Sequence, residues 1–143
     1  MNRDEILALL PHREPLLMVD RVVEIESDRI VAIKEVRADE DWARGHFPGN
    51  PVFPGVLMSE ALAQAAALIY LHAHRDQAGA TVYLVGFDKM RFRKVVKPGD
   101  DLRLEVTLTG QRRRMWMFDG TATVDGVRVA NGSFMATVAV DEG

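Results

Sequence analysis

The stretch that most constrains this chain is VLMSEALAQAAALIYLHAHR, residues 56–75. Its Ala and Leu content gives it high helical propensity. It is apolar all round, and a helix of that kind must be covered on every side. It approaches the length of about 20 residues that a membrane span needs. Ser59, Glu60 and Gln64 interrupt it, however, and strand-like runs flank it on both sides. These features point to a core helix wrapped by a sheet rather than to a span in lipid. A hydrophobic fraction of 48% beside a charged fraction of 27% agrees with a soluble globular chain.

The flanking segments supply that sheet. Asp4 is a candidate N-cap for a short helix over 5–10, stopped at Pro11. Residues 16–26 are apolar and β-branched and read as a strand. Ser27-Asp28 marks a turn, and 29–37 alternates, with Ile30, Ala32 and Lys34 on one side and Val31, Ile33 and Val36 mostly on the other. The two runs predict a hairpin. Four further strands are predicted over 82–95, 102–109, 115–124 and 127–138, with turn signals at KPGDD and Asp125-Gly126. One long helix with about six antiparallel strands is an α+β layer architecture, and the 143 residues form a single domain. One sheet covers only part of such a helix. A second subunit covering the rest predicts a dimer or larger assembly.

Composition excludes several functions. A net charge of -3 disfavours a nucleic-acid role. The absence of cysteine removes disulfides, thiolate nucleophiles and Cys-ligated metals. It fits a reducing compartment, and the N-terminal MNRDEILALLPHREP lacks a secretory leader's apolar region, so a cytoplasmic location is expected. His72 and His74 are two apart at the helix end and point to different faces. Neither a metal nor a cofactor is expected.

Between the hairpin and the helix, over 38–55, periodicity vanishes. The X-Pro bonds Phe47-Pro48, Asn50-Pro51 and Phe53-Pro54 stiffen this loop. Loops this long inside compact domains tend to carry function. His46 sits in it, and a pre-organised histidine suits a general base. Glu60 is the sole charged residue from 56 to 74. As a structural residue it meets the positive end of the helix dipole. As a functional one it is a carboxyl group in apolar surroundings, suited to act as a general acid. The amides of Gly55 and Val56 at the helix start lack intrahelical partners and can polarise a carbonyl. A base, an acid and a carbonyl clamp suit proton abstraction next to a carbonyl, followed by loss of a β-hydroxyl as water.

The segments LLPHREPLLMVDRV, GHFPGNPVFPGVLMSEALAQ, GFDKMRFRKVVKPGD and ATVDGVRVA span almost the whole chain. They resemble the FabZ type of 3-hydroxyacyl-acyl-carrier-protein dehydratase, a hotdog-fold family. The run H-F-P-G-x-P-x-x-P-G-V-L followed by E-A-L-A-Q is highly specific. The resemblance implies a hotdog fold, with His46 as catalytic base, Glu60 as its acid partner and the Gly55 amide on the thioester carbonyl. It also implies a homodimer whose sites take His46 from one chain and Glu60 from the other, and in some members a trimer of dimers. The related FabA-type dehydratase-isomerases carry Asp where this chain has Glu60, which favours dehydration without isomerisation. The chain departs from the FabZ pattern at Asn50, where a basic residue is common, and at Glu14, where an aromatic one is. It also departs at Leu84 and Val85 and in RRRMWMF. Housekeeping fatty-acid synthesis and a specialised acyl or polyketide-like pathway both stay open.

Other residues carry two readings each. Gln64 lies one turn past Glu60, either bonding its carboxyl group or satisfying a buried backbone group. Phe47, Phe53 and Phe92, with Met90, Met115 and Trp116, either line an acyl tunnel or simply pack. Lys89, Arg91 and Arg93 alternate along one strand, with Lys94 and Lys97 following and Arg112, Arg113 and Arg114 forming a second cluster. They are either a solvated strand edge or the docking surface of an acidic acyl carrier protein. His12 reads as structural. Two rival activities remain: a hotdog thioesterase, and a non-catalytic subunit that binds acyl carrier protein.

Overall fold

The computed structural model describes residues 1–139. Helix α1 (Arg3–Leu9) begins two residues before the segment expected of it. The cap is Asn2 and not Asp4. The Asn2 side chain accepts the Glu5 N–H at 2.9 Å, and Glu5 Oε1 accepts the Asn2 N–H at 3.2 Å. This reciprocal pairing satisfies two otherwise orphaned donors, which Asp4, already inside the first helical turn, cannot do.

Strand β1 (Arg21–Ile25) is shorter than the apolar run that predicts it. Residues 16–18 leave the sheet to bond the long helix instead: Gln64 Nε2 donates to the Leu16 carbonyl at 2.7 Å, and the Met18 N–H donates to Gln64 Oε1 at 2.7 Å. Strand β2 (Arg29–Glu35) pairs antiparallel with β1 as the predicted hairpin. Ile30 and Ala32 join the core, while Val31, Ile33 and Lys34 are buried as well. The strand is therefore covered on both faces. Lys34, only 1% exposed, ion-pairs with Glu40 and lies 3.8 Å from Asp20.

The irregular loop contains one 3-10 turn, Asp41–Arg44. Helix α2 (Gly55–Ala73) starts after Pro54, one residue before its predicted start, and ends at His74. A short 3-10 turn follows at Arg75–Gln77. Strands β3 (Val82–Phe92), β4 (Asp101–Arg112), β5 (Met115–Val124) and β6 (Val127–Val138) complete the fold. The β5–β6 hairpin turns at Asp125 and Gly126, with φ of 49° and 78°. Positive φ at both central residues gives the twist that two-residue hairpins require.

One six-stranded sheet results, ordered β1-β2-β4-β5-β6-β3, with every pairing antiparallel. Helix α2 lies across one face of it, packed chiefly on β4 and β2. Leu62, Leu68, Ile69 and Leu71 are fully covered. Each such side chain contributes roughly 1.5–3 kcal/mol through burial. At Gly120 in β5 the helix approaches so closely that a Cβ would stand 3.3 Å from Leu62 Cδ2 and 3.0 Å from Phe134 Cε1. This is the one-helix, one-sheet α+β arrangement of the hotdog fold.

Coverage of α2 is incomplete along one stripe. Val56, Glu60 and Ala63 succeed one another at helical spacing and stay accessible to solvent. The sheet also ends nearby in an open edge. Among the described residues strand β3 pairs only with β6, and Tyr83, Leu84, Val85 and Phe87 are exposed along it.

Candidate active site

The loop before α2 is fastened by its own backbone. The N–H groups of Gly45 and His46 both donate to the Trp42 carbonyl, at 3.2 and 3.1 Å. Phe47 and Asn50 exchange two bonds, at 3.1 and 2.9 Å, and the Val52 N–H donates to the His46 carbonyl at 2.7 Å. The Phe53 N–H reaches the Val96 carbonyl at 2.8 Å. Phe53 is buried in the core and meets Trp42 edge-on at 5.1 Å between ring centroids.

This framework sets the imidazole of His46. Its Nδ1 lies 2.7 Å from the Val52 carbonyl oxygen, and its ring stacks on half-exposed Phe47 at 4.1 Å. A carbonyl can only accept, so the proton belongs on Nδ1 and Nε2 keeps a free lone pair. The neutral ring thus presents a proton acceptor at Nε2. Trp42 is a residue that sequence reasoning passed over. Its carbonyl is the loop's anchor, a backbone role that side-chain patterns do not reveal.

Helix α2 opens without a side-chain cap. Its first internal bonds run from the Leu57 and Met58 N–H groups to the Pro54 carbonyl. The amides of Gly55 and Val56 are left over, at the positive end of a 19-residue helix. The Phe92 ring lies over Gly55, with Cγ and Cδ1 3.1 Å from where a Cβ would be. Phe92 thus borders the donors that a carbonyl would meet.

Glu60 sits on the uncovered stripe, its side chain 32% exposed. Its surroundings are mixed: Gln64 and His12 stand at its oxygen, and the remaining neighbours across the adjoining cavity, Ala63, Ala67, Val82, Leu84 and Ala136, are apolar as expected. Oε1 accepts from Gln64 Nε2 at 3.0 Å, and His12 Nε2 lies 3.6 Å from the same oxygen. Gln64 therefore performs both of its anticipated roles, bonding the carboxyl group and satisfying the buried backbone at Leu16 and Met18. His12 is brought to the site by the fold. A cavity of about 70 Å³ beside Glu60 is lined by His12, Ala63, Gln64, Ala67, Leu84 and neighbouring β-sheet residues. No residue of the His46 loop borders it among the described residues.

The basic residues are exposed, but Lys89, Arg91 and Arg93 do not share a face by simple alternation. Asp88 pairs with Ser133 and Arg91 with Asn131, which places one extra residue in β3, and Lys89 there has φ of 54°. This bulge breaks the two-residue period. Arg93 turns back to bond Asn131 Oδ1 at 2.8 Å. Lys89, Arg91, Lys94 and Lys97 form no ion pair among the described residues.

The profile of the FabA-like domain matches residues 10–133, which contain the loop, the helix start and Glu60. The chain belongs to the FabA-like family. A FabA-like relative from Myxococcus xanthus, a 3-hydroxyacyl-[acyl-carrier-protein] dehydratase FabZ, is 51% identical over 140 residues, covering 96% of this chain and 92% of its own length. A second protein of the same name, from Solibacter usitatus, is 48% identical and covers 99% of this chain and 88% of its own. A similar solved structure is the dehydratase heterocomplex ApeI:P from Xenorhabdus doucetiae. It has a TM-score of 0.83 at 19% identity, over 95% of this chain and 91% of that one, and shares the FabA-like architecture.

Proposed function

We propose that this chain dehydrates (3R)-3-hydroxyacyl groups carried on acyl carrier protein, yielding the trans-2-enoyl thioester and water, in fatty-acid biosynthesis. The observation that carries the mechanism is the bond from His46 Nδ1–H to the Val52 carbonyl, which leaves Nε2 free to accept a proton. His46 removes the C2 proton. The Gly55 and Val56 amides hold the thioester oxygen as negative charge develops on it. Glu60 protonates the C3 hydroxyl, the C–O bond breaks, the C2–C3 double bond forms, and water leaves. The proton gained by His46 and the one lost from Glu60 are then re-equilibrated through solvent. This scheme requires no cofactor.

The active unit in this reading is a homodimer, able to assemble further into a trimer of dimers. The accessible stripe of α2 and the open β3 edge support it, since a second copy covers both. His46 of one chain then serves Glu60 of the other. Phe47 and Phe92 flank the reacting thioester, Phe53 supports the loop from beneath, and Gln64 acts through Glu60. Lys89, Arg91, Arg93, Lys94 and Lys97 receive the acidic carrier protein, in the cytoplasm. Their exposure, and the lack of ion pairs at four of them among the described residues, support that role.

Turnover of 3-hydroxyacyl carrier-protein substrates of several chain lengths tests the proposal, with wild type, His46→Ala and Glu60→Gln side by side. Enoyl product from wild type, lost in both variants, is the expected result. Release of free thiol would move the assignment to a thioesterase, and tight carrier binding without turnover to a non-catalytic subunit.

A further inference from the structure

We infer that His12 is a positioning residue for Glu60, acting as a neutral donor that fixes which carboxyl oxygen carries the acidic proton. The inference rests on the reading of Glu60 as the acid. Two observations from opposite sides of the His12 ring lead to it. Nε2 lies 3.6 Å from Glu60 Oε1. Nδ1 is buried and has no hydrogen-bond partner among the described residues.

A neutral imidazole carries one N–H. Placing it on Nδ1 would bury a donor with nothing to receive it, which costs free energy. Placing it on Nε2 aims it at the carboxyl group and leaves at Nδ1 only a lone pair. The geometry therefore selects the Nε2–H tautomer. The separation is longer than a finished hydrogen bond, as catalytic contacts commonly are before substrate arrives.

Glu60 then faces two neutral donors, the His12 Nε2–H and the Gln64 amide at 3.0 Å, both directed at Oε1. A protonated carboxyl group has one oxygen that donates and one that accepts. Two donors on Oε1 make it the accepting oxygen. The proton is left on Oε2, the oxygen free to meet the substrate hydroxyl. Both donors are tied to one segment of chain: Gln64 is pinned by Leu16 and Met18, and His12 lies just before them. The stretch between α1 and β1 thus sets the orientation of the acid.

The experiment measures kcat and KM for a 3-hydroxyacyl carrier-protein substrate, using the full chain in its native assembly. The variants are His12→Phe, His12→Gln, Glu60→Gln and the double variant H12F/E60Q, each checked for folding by circular dichroism. Phenylalanine preserves the ring's volume without a donor, and glutamine restores an uncharged N–H. His12→Phe is expected to lower kcat roughly tenfold or more with little change in KM, the scale of one lost hydrogen bond to such a group. His12→Gln is expected to recover most of that loss. Adding His12→Phe to Glu60→Gln is expected to cause no further loss, because residues that act through one another are non-additive. Wild-type kcat in His12→Phe, equal loss in the glutamine variant, or the same additional loss in the Glu60→Gln background would each overturn the inference. Full activity in Glu60→Gln alone would overturn it at its premise and identify the acid assignment as the fault.

Discussion

The Nδ1 atom of His46 lies 2.7 Å from the backbone carbonyl oxygen of Val52. The Val52 N–H in turn donates to the His46 carbonyl at the same distance. The imidazole is held by a residue six positions away whose side chain takes no part. Replacing His46 with Asn keeps an N–H donor near Nδ1 but supplies no basic nitrogen. The His46→Asn variant is expected to melt like wild type while turnover falls by about 10²–10⁴-fold, the span of general acid–base contributions. Turnover close to wild type would remove His46 from the chemistry.

The cavity at Glu60 takes none of its lining from the His46 loop among the described residues. If the two residues meet across a dimer, inactive variants should complement each other. Co-expressing His46→Ala with Glu60→Gln gives heterodimers in which one site has both residues intact. With random pairing in a two-fold dimer, roughly a quarter of wild-type activity is expected. Tagged co-purification and enoyl formation measure it. No recovery from confirmed heterodimers would place both residues in one chain.

Gly55 underlies the Phe92 ring, and a Cβ there would stand 3.1 Å from it. Phe92 is half exposed and has room to yield outward. The Gly55→Ala variant is therefore expected to stay within about 1 kcal/mol of wild-type stability. Its kcat/KM should fall because the added methyl and the shifted ring intrude on the Gly55 and Val56 amide donors. Denaturant unfolding and steady-state kinetics separate the two effects.

Gly120 presents the reverse case. Its neighbours Phe134 and Leu62 are buried and cannot move aside. The Gly120→Val variant is expected to lose at least about 1–3 kcal/mol, the usual cost of overpacking a core. A melting curve superimposed on wild type would show that α2 can lift from β5 without penalty.

Lys34 ties the end of β2 to Glu40, and Glu40 Oε2 accepts the Arg37 N–H at 2.8 Å at the entry to the His46 loop. Replacing Lys34 with Met leaves a mostly buried carboxylate unpaired. Breaking one side of such a pair costs about 3–5 kcal/mol. Chemical denaturation of Lys34→Met should show a loss of that order, and a change below about 1 kcal/mol would mean that water reaches Glu40 freely.

The legible parts of the molecule are those fixed by local chemistry. Helix α2 announces itself because its run of Ala and Leu is long and apolar on nearly every face, and β5 and β6 match their predicted ends because Asp125-Gly126 forces the turn between them. The i, i+4 spacing of Glu60 and Gln64 survives folding unchanged. The bulge at Lys89 could not be read, because the charge alternation runs straight through it and a lysine gives no sign of positive φ. Strand β1 was overextended because an apolar run does not say whether its backbone bonds a strand or Gln64. His12 read as structural because its neighbour Glu60 is 48 residues away, a proximity created by tertiary packing.

Between Trp42 and Phe53 the hydrogen bonds that shape the His46 loop run from main chain to main chain among the described residues, apart from the imidazole's own. At position 50 only the peptide groups take part, and the Asn50 side chain points into solvent. The identity of that side chain is therefore uncoupled from the His46 imidazole. Position 50 can drift, or be retuned toward a different visitor, while His46 keeps its tautomer. The constraint falls one residue earlier, at Gly49, whose φ of 73° suits a residue without a Cβ. The departure at Asn50 thus marks a site of tolerance set beside one of strict demand.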